Sequence, residues 1–349
     1  MTTEVRRPES ISVNGISVPL PMFVRSVSSF ESQLAPDAAL EALTLIPNND
    51  PFLISAFDFY LADDAGKEER KAHEEKLQLI KQLQERGCFI LMDSGNYEAS
   101  RTGFNHQWTE EKYVKALSEI PYTCAFSFDN LYPSVNIQEN AQDAVERVRK
   151  TKNEFVLPIV HAPAHQDARD SEKIPDILFE VAKLSRPHMI AVPERELGSG
   201  IIERVYMVRR IRNRLNELGY YQPVHILGTG NPVSTVLLSH AGADSFDGLE
   251  WCRTAVDRET GLLFHHQQYD FFRYQTKTMA RFETVREAES DEEISLMLKM
   301  ALHNLDFIHD WMEELRDNLR ENRIGEMLSF YLPEHVSNEI NNNLRDMLG

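Results

Sequence analysis

Three stretches of this chain carry an apolar run onto a carboxylate. They are Phe89-Ile90-Leu91-Met92-Asp93-Ser94-Gly95, Cys124-Ala125-Phe126-Ser127-Phe128-Asp129-Asn130 and Asp244-Ser245-Phe246-Asp247-Gly248-Leu249-Glu250-Trp251-Cys252-Arg253. A carboxylate at the end of a buried strand is costly unless polar partners or a reaction use it. Three chemistries are open to such a group. It can attack an electrophilic carbon, move a proton to and from a reacting atom, or accept a pair of hydrogen bonds. The competing reading makes each Asp a turn or helix-cap residue. In the third stretch Asp247 is the candidate, because Asp244 begins the strand and would sit at its other end.

Bringing three such ends together requires parallel strands, and a closed parallel barrel collects every strand C-terminus on one face. Eight strand signals occur, at residues 19–25, 52–58, 88–94, 123–129, 155–161, 188–193, 223–228 and 244–251, and helical patterns separate most of them. The spacing predicts helices within 31–46, over 67–86 up to Gly87, from Thr109 through Leu117, and over 137–151, 173–184 and 200–218 up to Gly219. Asn231-Pro232 suits the cap and first turn of another. Pro158 objects to a central strand and calls for a bulge. No Gly-x-Gly-x-x-Gly follows Asp58, which argues against an open dinucleotide-binding sheet. The expected fold is an α/β protein, a (β/α)8 TIM barrel over residues 1–280, with a helical C-terminal extension over 281–349 packed on it.

Ile11 to Val18 reads as a hairpin turning at Asn14-Gly15. Ser290-x-x-Glu293 is a candidate capping box. The apolar positions from Ile294 to Leu319 recur in steps of three and four, which suits a helix packed on the barrel or a dimer surface.

With 37 Lys and Arg against 55 Asp and Glu, the formal charge is −18. This argues against a generally basic nucleic-acid coat and leaves room for a local basic groove. Cys88, Cys124 and Cys252 stand apart, with no Cys-x-x-Cys pair, so no cysteine-rich zinc site is expected. His265-His266 lacks the spacing of further ligands, and neither a metal nor a cofactor is expected. The start, Met1 to Arg7, shows no secretory signal, and no run approaches the roughly 20 apolar residues of a membrane span. A cytoplasmic protein is expected.

In these motifs the sequence resembles the tRNA-guanine transglycosylase family, which exchanges bases in queuosine and archaeosine synthesis. Asp93-Ser94-Gly95-Asn96-Tyr97 resembles the family's Asp-Ser-Gly-Gly-Phe-Gln, and Phe126-Ser127-Phe128-Asp129 its Ala-Phe-Asp. Gly228-Thr229-Gly230-Asn231-Pro232 is similar to its Met-Gly-Val-Gly-Thr-Pro segment. Phe246-Asp247-Gly248 through Arg253 is similar to its Phe-Asp-Cys-Val-x-Pro-Thr-Arg, and Gly261-Leu262-Leu263-Phe264 to the Gly-x-Leu-Phe that follows. The order agrees from about residue 12 to residue 265. The family's three cysteines and histidine on zinc are missing. His161 stands where the family has a glutamine, and Glu196-Leu197-Gly198-Ser199-Gly200 where it has the glycine-rich segment that receives the base. These departures suit a branch that modifies DNA, or another non-tRNA variant, about as well as tRNA.

The resemblance implies that Asp247 is a nucleophile on the sugar carbon and Asp93 the proton carrier, with Ser94 and Gly95 beside it. Asp129 would pair with the purine edge, His161 would contact the base, and Gly198 and Gly200 would admit the flat ring. Tyr97 and Phe128 are candidates to stack on it, or core residues. Arg253 and Arg258 are candidate phosphate contacts. Arg204, Arg209, Arg210, Arg212 and Arg214 form a basic run whose simpler reading is a solvated helix face. The implied partners are a nucleic acid, tRNA or DNA, a free 7-deazaguanine base, and a second copy of the chain. Two other functions stay open: an N-glycoside hydrolase or transferase acting on a small nucleoside, and a non-catalytic partner subunit.

Overall fold

The structure, a computed structural model, describes residues 6–62, 64–103, 107–165 and 168–348. Residues 1–5, where the absence of a secretory signal was read, lie outside these. Eight parallel strands lie side by side in the order Met22–Val27, Phe52–Ser55, Ile90–Asp93, Cys124–Phe126, Val156–Leu157, Ile190–Pro193, Val224–Leu227 and Ser245–Gly248, and the last pairs with the first. The seam between the fifth and sixth strands closes through one bridge, Ile159 to Ala191. Its cause is Pro158. The Pro158 carbonyl accepts from the Ala191 N–H at 3.0 Å, but proline has no N–H to return. The ladder resumes only at Val160, whose N–H reaches the Ala191 carbonyl at 2.8 Å. The ring is a (β/α)8 barrel.

The expected helices form. They span Pro36–Leu45, Lys67–Glu85, Glu110–Glu119, Ile137–Lys150, Ile174–Ser185, Ile201–Leu215 and Pro232–Ala241. The Thr109 and Asn231 side chains cap the helices that follow them. Each strand is shorter than expected, and two give way to helical turns. Residues 56–58 leave the second strand for a helical turn, Ala56–Phe59, where Asp58 accepts from the backbone N–H of Ser29 at 2.7 Å. The eighth strand stops at Gly248 and a helical turn, Glu250–Arg253, follows.

After the eighth strand the long helix Leu296–Arg320 packs against Pro36–Leu45 and Pro232–Ala241, the helices that follow the first and seventh strands. Its apolar stripe, including Ala301, Leu305, Ile308, Met312 and Leu315, is buried there. The capping box expected at Ser290 is not formed. Ser290 ends the preceding helix, Glu283–Ser290, and Asp291 takes the Glu293 N–H at 2.9 Å. The cap is Ser295, whose hydroxyl accepts from the Leu298 N–H.

The hairpin Ser10–Val13 and Ile16–Pro19 turns with positive φ at both Asn14 and Gly15, the type I′ geometry that matches strand twist. Its Val13 and Val18 join Leu20, Met22, Phe89 and Met189 in the inner core, at the ends where the barrel strands begin. The hairpin therefore stoppers the N-terminal mouth of the barrel. Asp244 is buried at this end. Its Oδ1 accepts from Arg7 Nε at 2.7 Å, and its Oδ2 from Arg212 Nη2 at 2.8 Å and the Val224 N–H at 2.9 Å. Asp244→Ala would leave buried Arg212 without its counter-charge, and we expect a loss of about 3–5 kcal/mol, read from the urea midpoint.

Candidate active site

The opposite mouth opens on a cavity of about 300 Å³. Asp93, Asp129 and Asp247 all line it, with His161, Tyr97 and Glu98 beside them and Arg195 and Arg253 near its rim. That is the size of a site for one small ligand.

Asp247 reaches the cavity from the eighth strand. Its Oδ2 accepts from Ser26 Oγ of the adjacent first strand at 2.8 Å. Its Oδ1 accepts from the Gly228 N–H at 2.8 Å and meets His225 Nε2 at 3.1 Å. His225 Nδ1 in turn lies 2.7 Å from Ser245 Oγ, so an Nε2–H imidazole satisfies both contacts. Three donors, one from the first strand and two from the seventh strand and its end, fix the direction of this carboxylate.

Asp93 ends the third strand and accepts from the Gly95 N–H at 3.1 Å. Gly95 makes this turn with φ +71, and a Cβ there would stand 2.4 Å from the Cβ of Phe57. One side of Asp93 faces the cavity, and the cavity itself lies deep in the protein. Burial raises its pKa to about 8, with the nearby charges of Asp129, Glu98 and Asp247 adding to the rise. The rise favours the protonated acid at neutral pH.

Glu98, one helical turn further on, bonds Ser28 and Ser55 and is pushed up to about 7, by burial first and then by Asp58. Burial likewise raises Glu194 on the cavity wall, against the pull of Arg204.

Asp129 lies just beyond the fourth strand. Burial alone would raise its pKa, but His161 more than offsets that and holds it low. The His161 Nε2 is 2.7 Å from Asp129 Oδ2, and its Nδ1 is 2.8 Å from Glu196 Oε1. Burial works against the imidazolium, yet the two carboxylates outweigh it and raise His161 to about 9. Ser94 Oγ lies 3.3 Å from the other oxygen of Asp129.

The remaining expected residues divide. Tyr97 lines the cavity, with the Arg195 guanidinium 3.8 Å from its ring centroid. Arg253 lines it too, bonded to Glu250 Oε1 at 2.6 Å. Ser94 and Gly95 shape the turn behind Asp93 and lie off the cavity wall. Phe128 packs into the outer core beside Tyr113. Gly198 and Gly200 form the entry to helix Ile201–Leu215, where Gly198 keeps φ +144 with Glu203 close behind it. Arg258 is not brought to the cavity. It is buried under the long helix, 2.7 Å from Asp306 and 3.1 Å from Asp310. Most of the basic run is taken up in ion pairs. Arg204 meets Glu194, Arg210 meets Glu172, Arg212 meets Asp244 and Arg214 meets Asp176. The His265 and His266 rings lie 4.1 Å apart, and among the described residues no three His, Cys, Asp or Glu side chains are grouped to hold a metal ion.

Sequence reasoning passed over Ser26, Glu98, Glu196 and His225. A signal existed for two of them. His225 is a lone polar residue inside the apolar strand Val224–Leu227, and Glu196 closes a charged run directly after a strand C-terminus, the functional end of a barrel.

No family model matches the chain. Over 148 residues, 41% of its length, it is 25% identical to the tRNA-guanine(15) transglycosylase of Aeropyrum pernix, and the match spans 27% of that protein. The chain thus covers little more than a quarter of the curated relative it matches, and over that part it is similar to a transglycosylase.

Proposed function

We propose that the chain is a glycosyl-transferring enzyme that replaces a guanine-like base in a nucleic acid, tRNA or DNA, with a free 7-deazaguanine base. The observation that carries this reading is a difference between two carboxyl groups on one cavity wall. Asp247 is oriented by three donors, and Asp93 favours its protonated form at neutral pH. In the first half-reaction an Asp247 oxygen bonds to the anomeric carbon. The bond from that carbon to the purine nitrogen breaks, and the departing base takes the Asp93 proton. In the second, the ionised Asp93 removes a proton from the incoming base. That base's nitrogen bonds to the anomeric carbon and releases Asp247. Asp129 accepts from the purine edge. A base filling the cavity keeps water from the sugar ester, which would otherwise hydrolyse. The partial likeness to a tRNA-guanine transglycosylase supports the transfer chemistry.

A smaller substrate is the second reading, and the placement of arginines favours it. Arg258 is buried away from the mouth, and Arg204, Arg210, Arg212 and Arg214 are taken up in ion pairs, so these five arginines do not form a basic strip for a phosphate backbone. One experiment separates the two. The protein is incubated with labelled guanine or 7-deazaguanine bases and, separately, with tRNA, DNA or free nucleosides, and incorporation is measured. Label entering a polymer supports base exchange in that polymer. Label entering only nucleosides supports the small-substrate enzyme. No transfer, with tight binding to an active transglycosylase subunit, supports a partner role.

The reading places the enzyme in a reducing cytoplasm, in keeping with three buried free thiols. No described helix is long and apolar enough to cross a membrane. A homodimer is proposed from the resemblance alone, since the stripe on Leu296–Arg320 faces the barrel, and sedimentation tests it.

A further inference from the structure

We propose that Glu196 is the positioning residue of this cavity: it holds the His161 ring with both N–H groups donated to carboxylates, and so fixes Asp129 as an ionised group against the His161 wall. The geometry points to the charged ring, with both carboxyl groups ionised. A neutral imidazole has one N–H and one lone pair. Here each ring nitrogen lies at hydrogen-bond distance from a carboxylate oxygen, 2.7 Å to Asp129 and 2.8 Å to Glu196. A neutral ring would set a lone pair against one of them, in a buried site where that repulsion is poorly screened. Glu196 is itself held. Its Oε2 accepts from the Ala162 N–H at 2.6 Å, and Arg169 Nη1 lies 3.2 Å from its Oε1.

The charged groups around the ring come from four elements. Asp129 follows the fourth strand, Glu196 the sixth, Arg169 stands on the short hairpin after the fifth, and Asp93 lies beyond Asp129 at the third. Two carboxylates, one imidazolium and one guanidinium balance, which allows Asp129, His161 and Glu196 to stay charged while buried beneath the partly exposed Arg169. With Asp129 held ionised by this set, Asp93 is the carboxyl that keeps its proton. His161 then has no nitrogen left for a ligand, and reading of the ligand's edge on this wall falls to Asp129. The charge state stands without any assumed reaction; its use in setting Asp93 as the acid rests on the base-exchange reading.

The test reads the ring directly. Protein labelled with [15N]histidine is titrated by NMR, with His161 assigned by the signal lost in His161→Gln. We expect the wild-type ring to stay doubly protonated until the pH rises through about 9. In Glu196→Gln, similar in shape but uncharged, the titration is expected to fall by about one pH unit or more. Unchanged titration would overturn the proposal. Should that variant fail to fold, Arg169→Gln replaces a partly exposed residue and gives the opposite sign. Without the competing cation Glu196 holds His161 more strongly, and the titration moves up; no movement, or movement down, overturns the proposal. In an exchange assay Glu196→Gln should raise the KM for the base on the alkaline side and recover as the pH is lowered, which a purely structural defect would not do. Exchange activity absent in wild type, with the NMR shifts as expected, would reject the reaction and keep the positioning role.

Discussion

Asp247→Ala is expected to lose base exchange by about 10⁴-fold or more, with the fold intact. Ser26 of the first strand, with His225 and Gly228 on and just after the seventh, jointly orient this carboxylate on the cavity wall. An attacking group needs that fixed direction as much as its charge. The residue lies at the edge of the cavity, so its truncation opens little new void and stability should hold. The decisive measurement is a trapped intermediate. Wild type incubated with substrate and no second base should form a covalent adduct that survives denaturation, and the variant should form none. An adduct in Asp247→Ala would remove this residue from the nucleophile's role.

Asp93→Asn should cost about 10² to 10⁴-fold in turnover, the range of general acid–base groups, while making the protein more stable at alkaline pH. The two effects share one cause. The folded protein holds the Asp93 proton up to about pH 8, whereas an unfolded chain releases it near the usual aspartate value of 3.8. Between those limits the folded state binds more protons, so the Asp93 contribution to stability declines as pH rises through that window. Asparagine cannot ionise and removes the decline. We therefore expect the variant's urea midpoint to exceed wild type's most clearly above pH 8. The alkaline fall of wild-type kcat/KM near pH 8 should disappear from the residual activity. A variant equally slow but with the wild-type pH profile would assign the proton to another group, and Glu98 on the same cavity wall, raised to about 7, is the candidate.

The barrel was legible because strand and helix periods alternate so regularly and because each strand run ends at a polar residue. Asp247 and Asp93 were legible for the same reason, being strand-terminal carboxylates. What surrounds them was not. Ser26, His225 and Glu196 come from three separate strands or the loops after them, and only closure of the ring puts each beside its partner. The mistaken capping box has a local cause: the preceding helix runs on through Ser290, and the next begins only after Ser295, whose hydroxyl accepts from the Leu298 N–H. Arg258 looked like a phosphate ligand for its nearness in sequence to Asp247. The hairpin Thr254–Val256 and Leu263–His265 instead carries it away under the long helix.

The stopper formed by the N-terminal hairpin closes the far end of the barrel. Val13, Val18 and Leu20 fill it as part of the inner core, so among the described residues the way out of the cavity is the mouth by which a ligand enters. For a base-exchange enzyme this sets the order of traffic. Incoming and outgoing bases are rivals for a single berth, and the first must depart before the second can dock. Released guanine should then inhibit competitively against the incoming base, and a high concentration of either base should slow the exchange.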